Sequence, residues 1–325
     1  ITKLNTELLS VNLPDLIDLT ATELHVAQYA AKGFLVDLLP FLSADSAVTE
    51  VMLNQNVLDA IKTDGKLYQM PTAFSVIGAA GKHEIVGGSD AWTLDAMHDA
   101  MKKLPADATV FNVDYTKDTV VFACLASSLS QFVDWESGTC SFETDAFKSF
   151  LSFADSFPAE FDTTNFDFDN YDSDYRRVGQ KQQLLANIAF SGFDDIYYQL
   201  EAMENDADFV GYPGVTGGYG CGFLPLGSIA MTTACKDKDA AWGFIRSLLS
   251  EDVQLQQTGF PMLNSAFDKT AADAMKQEYV TDEHGKTVLD ANGVPIRVIL
   301  YTIGFFIASV DLYAVTTEQS QIVRD

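Results

Sequence analysis

The sequence contains few positive charges, and this shortage excludes several classes of partner. Lys and Arg together number 20 against 46 Asp and Glu, which gives a formal net charge of -26 and a pI near 4.2. A surface of this sign repels the phosphate backbone of nucleic acids and the anionic headgroups of lipids. We therefore expect no nucleic-acid partner, and we interpret the negative charge as favouring solubility.

Histidine and cysteine are also scarce. The histidines are His25, His83, His98 and His284, and the cysteines are Cys124, Cys140, Cys221 and Cys235. No two histidines lie at metal-binding spacing, and no Cys-x-x-Cys pair occurs. We expect Cys124 to be a small core residue, and the pairing of the other three cysteines stays open. The sequence predicts neither a metal nor a cofactor.

No hydrophobic run is long enough to span a bilayer. The longest, Val298 to Val310, is shorter than the roughly 20 residues that a spanning helix needs. A buried helix or a pair of strands is the better interpretation of it. The chain also opens at Ile1 without a signal-peptide pattern, but a secreted protein could have lost that segment, so its absence says little about location.

Motifs of catalysis are missing as well. There is no Gly-x-Ser-x-Gly elbow and no His-Glu-x-x-His pair. The glycine-rich string from Gly217 to Gly222 lacks the Gly-Lys-Ser/Thr ending of a phosphate loop. The acidic segment Asp167 to Asp174 does not fit the register of a calcium loop, so we predict a solvated surface loop, with calcium binding as the alternative. A carboxylate pair for glycoside hydrolysis stays open, because 46 acids allow many pairings.

Length and composition indicate a globular chain with two lobes. A chain of 325 residues is too long for one small core. Its 47% hydrophobic and 20% charged residues are ordinary for a folded protein. Strand-like apolar runs alternate with helical patterns, which predicts an α/β fold with parallel sheet. No internal repeat is evident.

Local signals predict several individual elements. The apolar run from Pro14 to Thr20 suits a short strand buried in a parallel sheet. Gly33 is suited to end a helix and Thr93 to cap the start of one. Asp64-Gly65 and Asn292-Gly293 are typical of tight turns.

Six short strings and one single residue, spread in order over almost the whole chain, indicate one protein family. They are Pro14 to Asp18, Tyr29 to Leu38, Asp64 to Pro71, Trp92 to Asp95, Gly211 to Gly214, Ala240 to Ile245, and Gln254. Together they resemble the extracellular solute-binding proteins of carbohydrate ABC importers. The string from Trp135 to Phe142 is similar to lipoproteins of this type from Gram-positive gut bacteria.

This resemblance implies a periplasmic-binding-protein-like fold of the maltose-binding-protein type. It consists of two α/β lobes, each a mostly parallel sheet flanked by helices, with the ligand cleft between them. The first lobe would comprise residues 1–78 and 212–265, and the second 79–211 and 266–325. Family members usually carry a further strand and helix before the segment matching Thr2 to Leu13, and further helix beyond Asp325. We therefore expect this chain to be truncated at both ends.

The resemblance also implies a function without catalysis. The protein would be a monomer at the outer cell surface, anchored by lipid through an upstream segment. It would bind a mono- or oligosaccharide by lobe closure and deliver it to the permease subunits of an ABC importer. The alternatives are a secreted carbohydrate-active enzyme and a surface glycan-binding or adhesion module.

Two criteria select the candidate sugar-binding residues: side chains suited to sugars, and a position at the end of a predicted strand. Aromatic rings cover the C–H faces of a sugar, and carboxylates, amides and hydroxyls bond its hydroxyl groups. Ligands meet parallel sheets at the carboxyl ends of the strands. The candidates are Asp18, Thr20, Phe74, Ser75, Phe190, Ser191 and Tyr219.

Several of these residues are also suited to purely structural roles. Asp18 is equally suited to a helix cap or a turn, and Phe74 to a place in the core. By the resemblance, the string from Ala189 to Phe193 occupies the place where relatives present an aromatic ring to sugar, and we favour Phe190 for stacking. Of the tryptophans, Trp92 and Trp242 are predicted to be packing residues, and Trp135 is undecided.

Overall fold

The chain crosses between two structural units five times. Unit 1 comprises Ile1–Ser75, Phe190–Gly192 and Phe223–Met275, and unit 2 comprises Val76–Ala189, Phe193–Gly222 and Lys276–Asp325. The computed structural model describes residues 13–19, 26–87, 92–126, 129–134, 137–214, 222–304 and 309–323. The first crossing follows Ser75, where a boundary after residue 78 was expected. The last follows Met275, where 265 was expected.

Unit 1 is built from short strands and helices. Its strands are β1 (Leu16–Asp18), the start of β2 (Ala73–Lys82), most of β7 (Gly222–Leu226), β8 (Ile229–Met231) and β9 (Phe260–Pro261). Its helices are α1 (Val26–Ala31), α2 (Leu39–Ala44), α3 (Gln55–Ile61), α10 (Lys238–Ser247), α11 (Glu251–Gln254) and α12 (Asn264–Ala274), with a 3-10 turn at Glu50–Met52.

Unit 2 contains the remaining described elements. Its strands are the end of β2, β3 (Val133–Asp134), β4 (Thr139–Cys140), most of β5 (Ala186–Phe190), β6 (Ala207–Phe209), β10 (Tyr301–Gly304) and β11 (Ser309–Leu312). Its helices are α4 (His83–Val86), α5 (Leu94–Met101), α6 (Lys117–Ala126), α7 (Asp145–Asp155), α8 (Asp174–Gly179), α9 (Phe193–Ala202) and α13 (Thr317–Gln321). Two 3-10 turns lie at Leu129–Gln131 and Phe168–Asn170.

The first strand pairs in the opposite direction to the one expected. β1 lies antiparallel to β8, with Leu16 opposite Met231 and Asp18 opposite Ile229. The expected parallel pairing of this strand is therefore wrong. Only Ile17 of β1 is buried, while Asp18 is exposed. Burial on one face suits an antiparallel strand, whereas strands of parallel sheets are covered on both faces.

β2 is the longest described strand and belongs to both units. It pairs antiparallel with β9 through Ala73 and Phe74, and with β6 through Ala80 to Lys82; β5 and β7 also pair with it. Eight of its ten residues are buried, which accounts for its nearly continuous apolar sequence. A Cβ at Gly81 would lie 2.5 Å from Cγ1 of Val86, so only glycine allows this packing.

The mixed α/β class is confirmed, with antiparallel as well as parallel pairing among the described strands. The ladders β1–β8, β2–β6, β2–β9, β3–β4 and β10–β11 are antiparallel. Parallel pairing occurs at the bridges Thr93–Gly214 and Thr109–Gln183 in unit 2.

Each unit has its own apolar core. In unit 1, Leu38, Leu42, Leu53, Leu58 and Phe74 are completely enclosed. The core of unit 2 gathers residues of α5, α6 and α7 with the segment before β5; among them are Trp92, Met97, Phe111, Cys124, Phe150 and Leu184. The packing role predicted for Trp92 and the core position predicted for Cys124 are confirmed. Cys140 is an exposed and Cys235 a buried free cysteine, and Cys221 lies outside the described residues.

The predicted turns and helix caps that depend on residues close in sequence are confirmed. The side chain of Thr93 accepts a 3.1 Å bond from the N–H of Ala96 at the start of α5. Gly33 has φ of 73° after α1, and the following N–H reaches back to the carbonyl of Tyr29, as in a Schellman motif. Asp64-Gly65 forms a tight turn with φ of 51° and 73°.

Two eight-residue repeats form a small closed structure in unit 2, so the expectation of no internal repeat is wrong. The sequences 280–287 and 288–295 each place Val at position 1, Asp at position 3 and Gly at position 6. We call the segment 278–298 the β-triangle. The period of eight is much shorter than the roughly 20–50 residues at which repeat architectures are normally sought.

Backbone hydrogen bonds close the β-triangle. The N–H of Val280 donates to Ile296, that of Ile296 to Val288, and that of Val288 to Val280, at 2.9, 3.0 and 2.8 Å. In the two turns, Oδ1 of Asp282 and of Asp290 each accepts bonds from the N–H groups two and four residues further on. Identical chemistry therefore shapes both turns, including the predicted one at Asn292-Gly293.

The apolar stretch from Val298 to Val310 contributes to a strand pair. β10 and β11 form an antiparallel ladder with Tyr301 opposite Leu312, which confirms the strand-pair interpretation for the described part of this stretch. None of the described helices has the length and apolar character needed to cross a membrane.

Candidate functional site

Four of the seven predicted sugar-binding residues come together in unit 1. β2 carries Phe74 and Ser75, and the end of β5 and the following turn carry Phe190 and Ser191. The hydroxyl oxygens of Ser75 and Ser191 lie 2.7 Å apart, within hydrogen-bonding distance. The structure thus joins two segments that are distant in sequence.

The two phenylalanines among them are enclosed in the unit. Both Phe74 and Phe190 are 0% exposed. The ring of Phe74 packs on the rings of Phe223, Phe260 and Phe267 at 5.6, 5.6 and 6.5 Å. This placement agrees with the core alternative for Phe74. Stacking of either ring on a sugar remains a prediction.

Of the other three predicted residues, one lies within the described part of the chain. Asp18 ends β1 with an exposed side chain. Thr20 and Tyr219 lie outside the described residues, as does Trp135. Trp242 is 6% exposed on α10, so its predicted packing role is confirmed.

A second set of polar and aromatic side chains converges in unit 2. The hydroxyl groups of Tyr115 and Tyr212 lie 3.0 Å apart, and the Tyr212 hydroxyl donates to Oδ1 of Asn187 at 2.8 Å. Asn187 lies on β5. Asp174 is the first residue of α8, and its carboxyl group accepts a bond from the backbone N–H of Asn187. We call Tyr115, Asp174, Asn187 and Tyr212 the tyrosine cluster.

Strand pairing positions the first member of the tyrosine cluster. The N–H groups of Leu184 and Leu185 donate to the carbonyls of Thr109 and Val110 at 2.9 and 3.0 Å, so the two segments run side by side in parallel. Tyr115 then lies in the loop at the carboxyl end of its segment, which is where ligands meet parallel strands.

Aromatic packing fixes the ring of Tyr115. It lies nearly parallel to the buried ring of Phe111 at 4.8 Å. Burial, the Tyr212 hydroxyl and nearby carboxylates raise the pKa of Tyr115. The phenol is therefore protonated at neutral pH and can donate a hydrogen bond.

Asp174 is the titratable member of the tyrosine cluster. Burial, followed by the charge of Asp114, raises its pKa to about 6. Hydrogen bonds from Gln183 and the Asn187 N–H and the charge of Arg177 lower the pKa, but by less. Its Oδ1 is buried and accepts no bond from the described residues. One oxygen of this carboxyl group thus has unused capacity to accept.

A further tyrosine stands beside the tyrosine cluster. The hydroxyl of Tyr171 donates to Oδ1 of Asn112 at 2.9 Å, and the guanidinium of Arg177 lies 4.6 Å from the centre of its ring. Hydroxyl, amide and carboxyl groups alongside aromatic rings are the groups that recognise polyhydroxylated ligands. Among the described residues, no grouping of three or more His, Cys, Asp and Glu could hold a metal ion.

Sequence reasoning did not find the tyrosine cluster. Its members come from four separate segments, and Tyr212 entered only as part of a short family-like string. The usable signal was Asn112-Val113-Asp114-Tyr115, a polar and aromatic string directly after the buried Phe111.

Comparison with known families decides the class of the chain. Residues 1–283 match the family described as bacterial extracellular solute-binding protein. The chain belongs to this family. Among curated proteins, none matches this solute-binding protein.

Two solved structures of other solute-binding proteins illustrate what the chain is similar to. The sugar-binding protein MalE from Xanthomonas citri shares 16% identity, with a TM-score of 0.50 over 82% of this chain and 70% of that one. An ABC transporter solute-binding protein from Thermotoga lettingae, bound with α-D-tagatose, shares 17% identity, with a TM-score of 0.46 over 84% and 72%. At this identity the MalE likeness shows the fold.

Proposed function

We propose that this solute-binding protein captures a mono- or oligosaccharide outside the cell and delivers it to the permease of an ABC importer. The observation that carries the proposal is the tyrosine cluster, where a tyrosine pair, an amide and a carboxyl group converge at the end of parallel-paired segments. The family assignment supports a binding role rather than a catalytic one, and the neighbour from Xanthomonas citri is a sugar-binding protein.

In the proposed site, sugar hydroxyls bond the tyrosine cluster. The Tyr115 and Tyr212 hydroxyls and the Asn187 amide offer both donors and acceptors, and Asp174 offers an acceptor. Separately, Asp18, Thr20, Phe74, Ser75, Phe190, Ser191 and Tyr219 stay proposed ligand residues. Lobe closure, a monomeric state and lipid anchoring stay predictions of the family resemblance.

Calorimetric titration with neutral oligosaccharides tests the proposal. The panel contains maltotriose, cellotriose, xylotriose and chitotriose, and recovery of the intact sugar by mass spectrometry checks that binding occurs without turnover. Y212F removes one hydroxyl and leaves the ring, so we expect about tenfold weaker binding, the value of one good hydrogen bond.

Tyr279 supplies a matched control, because it is an exposed tyrosine in the β-triangle. Y279F should bind like the unaltered protein. Absence of binding across the panel, or unchanged affinity of Y212F, would refute the proposed site.

A further inference from the structure

A cavity of about 440 Å³ lies in unit 2, between helices α8 and α9 and the C-terminal strands. Its size falls within the ~300–1,000 Å³ range of small-molecule sites. Five charged side chains line it: Arg176, Glu201, Glu204, Arg297 and Asp311. Tyr197 and Tyr313 complete its aromatic wall. None of these residues belongs to the tyrosine cluster.

Neighbouring groups anchor the charged side chains of the cavity. Glu204 is held by Lys82 at 2.5 Å, Glu201 by the amide of Asn205 at 2.8 Å, and Asp311 by the hydroxyl of Thr302 at 2.7 Å. Each of these bonds engages one oxygen of its carboxylate. A carboxylate can accept about four hydrogen bonds, so each of the three can also accept from a ligand.

The arginines of the cavity supply anchored donors. The guanidinium of Arg297 lies 4.1 Å from the centre of the Tyr313 ring and bonds the hydroxyl of Tyr197. Arg176 forms an ion pair with Asp172 at 3.3 Å. A guanidinium has five N–H groups, so each arginine keeps donors for a ligand. Side chains that are already held lose less conformational entropy when a ligand binds.

The mixture of positive and negative side chains on the cavity wall determines which class of ligand fits. Two cations and three carboxylates share the wall, and Lys82 offsets Glu204, so the cavity has no strong field of either sign. An anionic ligand would meet three carboxylates, and a cationic ligand two guanidinium groups. A neutral ligand whose hydroxyl groups both donate and accept can use both sets, and a saccharide has that chemistry.

We propose that this cavity is a second carbohydrate site that binds a neutral saccharide unit independently of the tyrosine cluster. The β-triangle and β11 form part of it, since Arg297 lies in the β-triangle and Asp311 lies on β11. Three of its lining residues, Arg297, Asp311 and Tyr313, lie beyond the part of the chain that matches the family, residues 1–283.

Saturation-transfer NMR and calorimetry with maltotriose and cellotriose at millimolar concentration test this proposal. We expect two binding events in the unaltered protein. R297M with E201Q should weaken one event at least tenfold and leave the other unchanged. Asn187→Ala should do the reverse, so failure at one site is distinguishable from failure at the other.

Matched controls keep the outcome interpretable. R246A removes a surface arginine of unit 1 and should leave both events unchanged. E201Q alone is an isosteric change on an exposed side chain, so it tests the cavity even if R297M fails to fold. A single binding event, no effect of E201Q and R297M on either event, or saturation by glucuronate but not by the neutral sugars would overturn the proposal.

Discussion

The indole Nε1–H of Trp242 donates a 2.7 Å hydrogen bond to Oδ2 of Asp45. The same carboxylate accepts bonds from the N–H groups of Ala47 and Val48 and lies 3.3 Å from Arg246. Its side chain is only 4% exposed. Burial raises the pKa of Asp45, but these four partners outweigh burial and hold the pKa below its ordinary value.

We therefore expect Asp45→Asn to destabilise the protein at neutral pH by about 1–3 kcal/mol, because a charged acceptor with several donors is lost. The folded-state pKa is depressed, so the stabilisation is present above about pH 4 and disappears as the pH falls through the folded value. Urea unfolding of both proteins at pH 7 and pH 3 measures this. D99N, a change at an exposed carboxylate, is the control and should be nearly neutral. A stability difference for D45N that persists undiminished at pH 3 would contradict the assignment.

Gln254 joins three parts of unit 1 through one fully buried amide. Its Nε2 donates to the carbonyls of Thr72 and Leu248, both at 2.8 Å, and its Oε1 accepts from the N–H of Leu263 at 3.0 Å. Gln254→Leu removes the side-chain partner of three backbone groups, two of them in buried bonds, and we expect a loss of about 3 kcal/mol or more in unfolding free energy. Gln256→Leu, at an exposed position of the same region, should change it by less than about 1 kcal/mol. Equal effects of the two changes in urea unfolding would argue against the role of Gln254.

Asp174 should reduce stability at neutral pH. Its folded-state pKa of about 6 lies above the roughly 3.9 of an unfolded Asp. The folded state therefore binds more protons between these values, so stability falls as the pH rises from about 4 to 6 and stays lower above that. We expect Asp174→Asn to raise the unfolding free energy by about 1–2 kcal/mol at pH 8, with little of this gain at pH 4. NMR titration of the carboxyl carbon measures the pKa directly, and a value near 4 would contradict this prediction.

The β-triangle should be removable. The N–H of Val298 donates to the carbonyl of Glu278 at 2.8 Å, so the two ends of the segment are adjacent and can be joined directly. Nearly all of its side chains are exposed; those of Tyr279, Leu289 and Val294 are 45%, 52% and 55% exposed. We expect deletion of residues 279–297 to preserve the helical circular dichroism and one soluble species, with a drop of a few degrees in Tm from the loss of Arg297 at Tyr313. Aggregation of the shortened chain would show that the β-triangle supports the core.

Sequence reasoning succeeded where the determining interaction is local. The cap at Thr93 and the turns at Asp64-Gly65 and Asn292-Gly293 depend on groups within four residues, and all were predicted. The direction of β1 depends on β8, far along the chain, and it was predicted wrongly. A short apolar run predicts a buried strand, but it does not indicate which other strand pairs with it.

The candidate site was less predictable for the same reason. Tyr115, Asp174, Asn187 and Tyr212 meet only after parallel pairing of residues 109–110 with 184–185 has formed. Phe190 could be placed at the end of a strand, but its complete burial depends on side chains from elsewhere in unit 1. Family resemblance identified the class of protein, because it relies on the order of many weak strings rather than on any one contact.

The five crossings between the units also bear on biosynthesis. Leu16 can pair only after Met231 has been synthesised, and Ala73 only after Pro261 has been synthesised. At the usual ~5–20 residues per second of synthesis, the first strand stays unpaired for about ten seconds or more. Unit 1 cannot finish folding until residue 275 has emerged, so its N-terminal segment, Ile1–Ser75, stays incompletely paired until then.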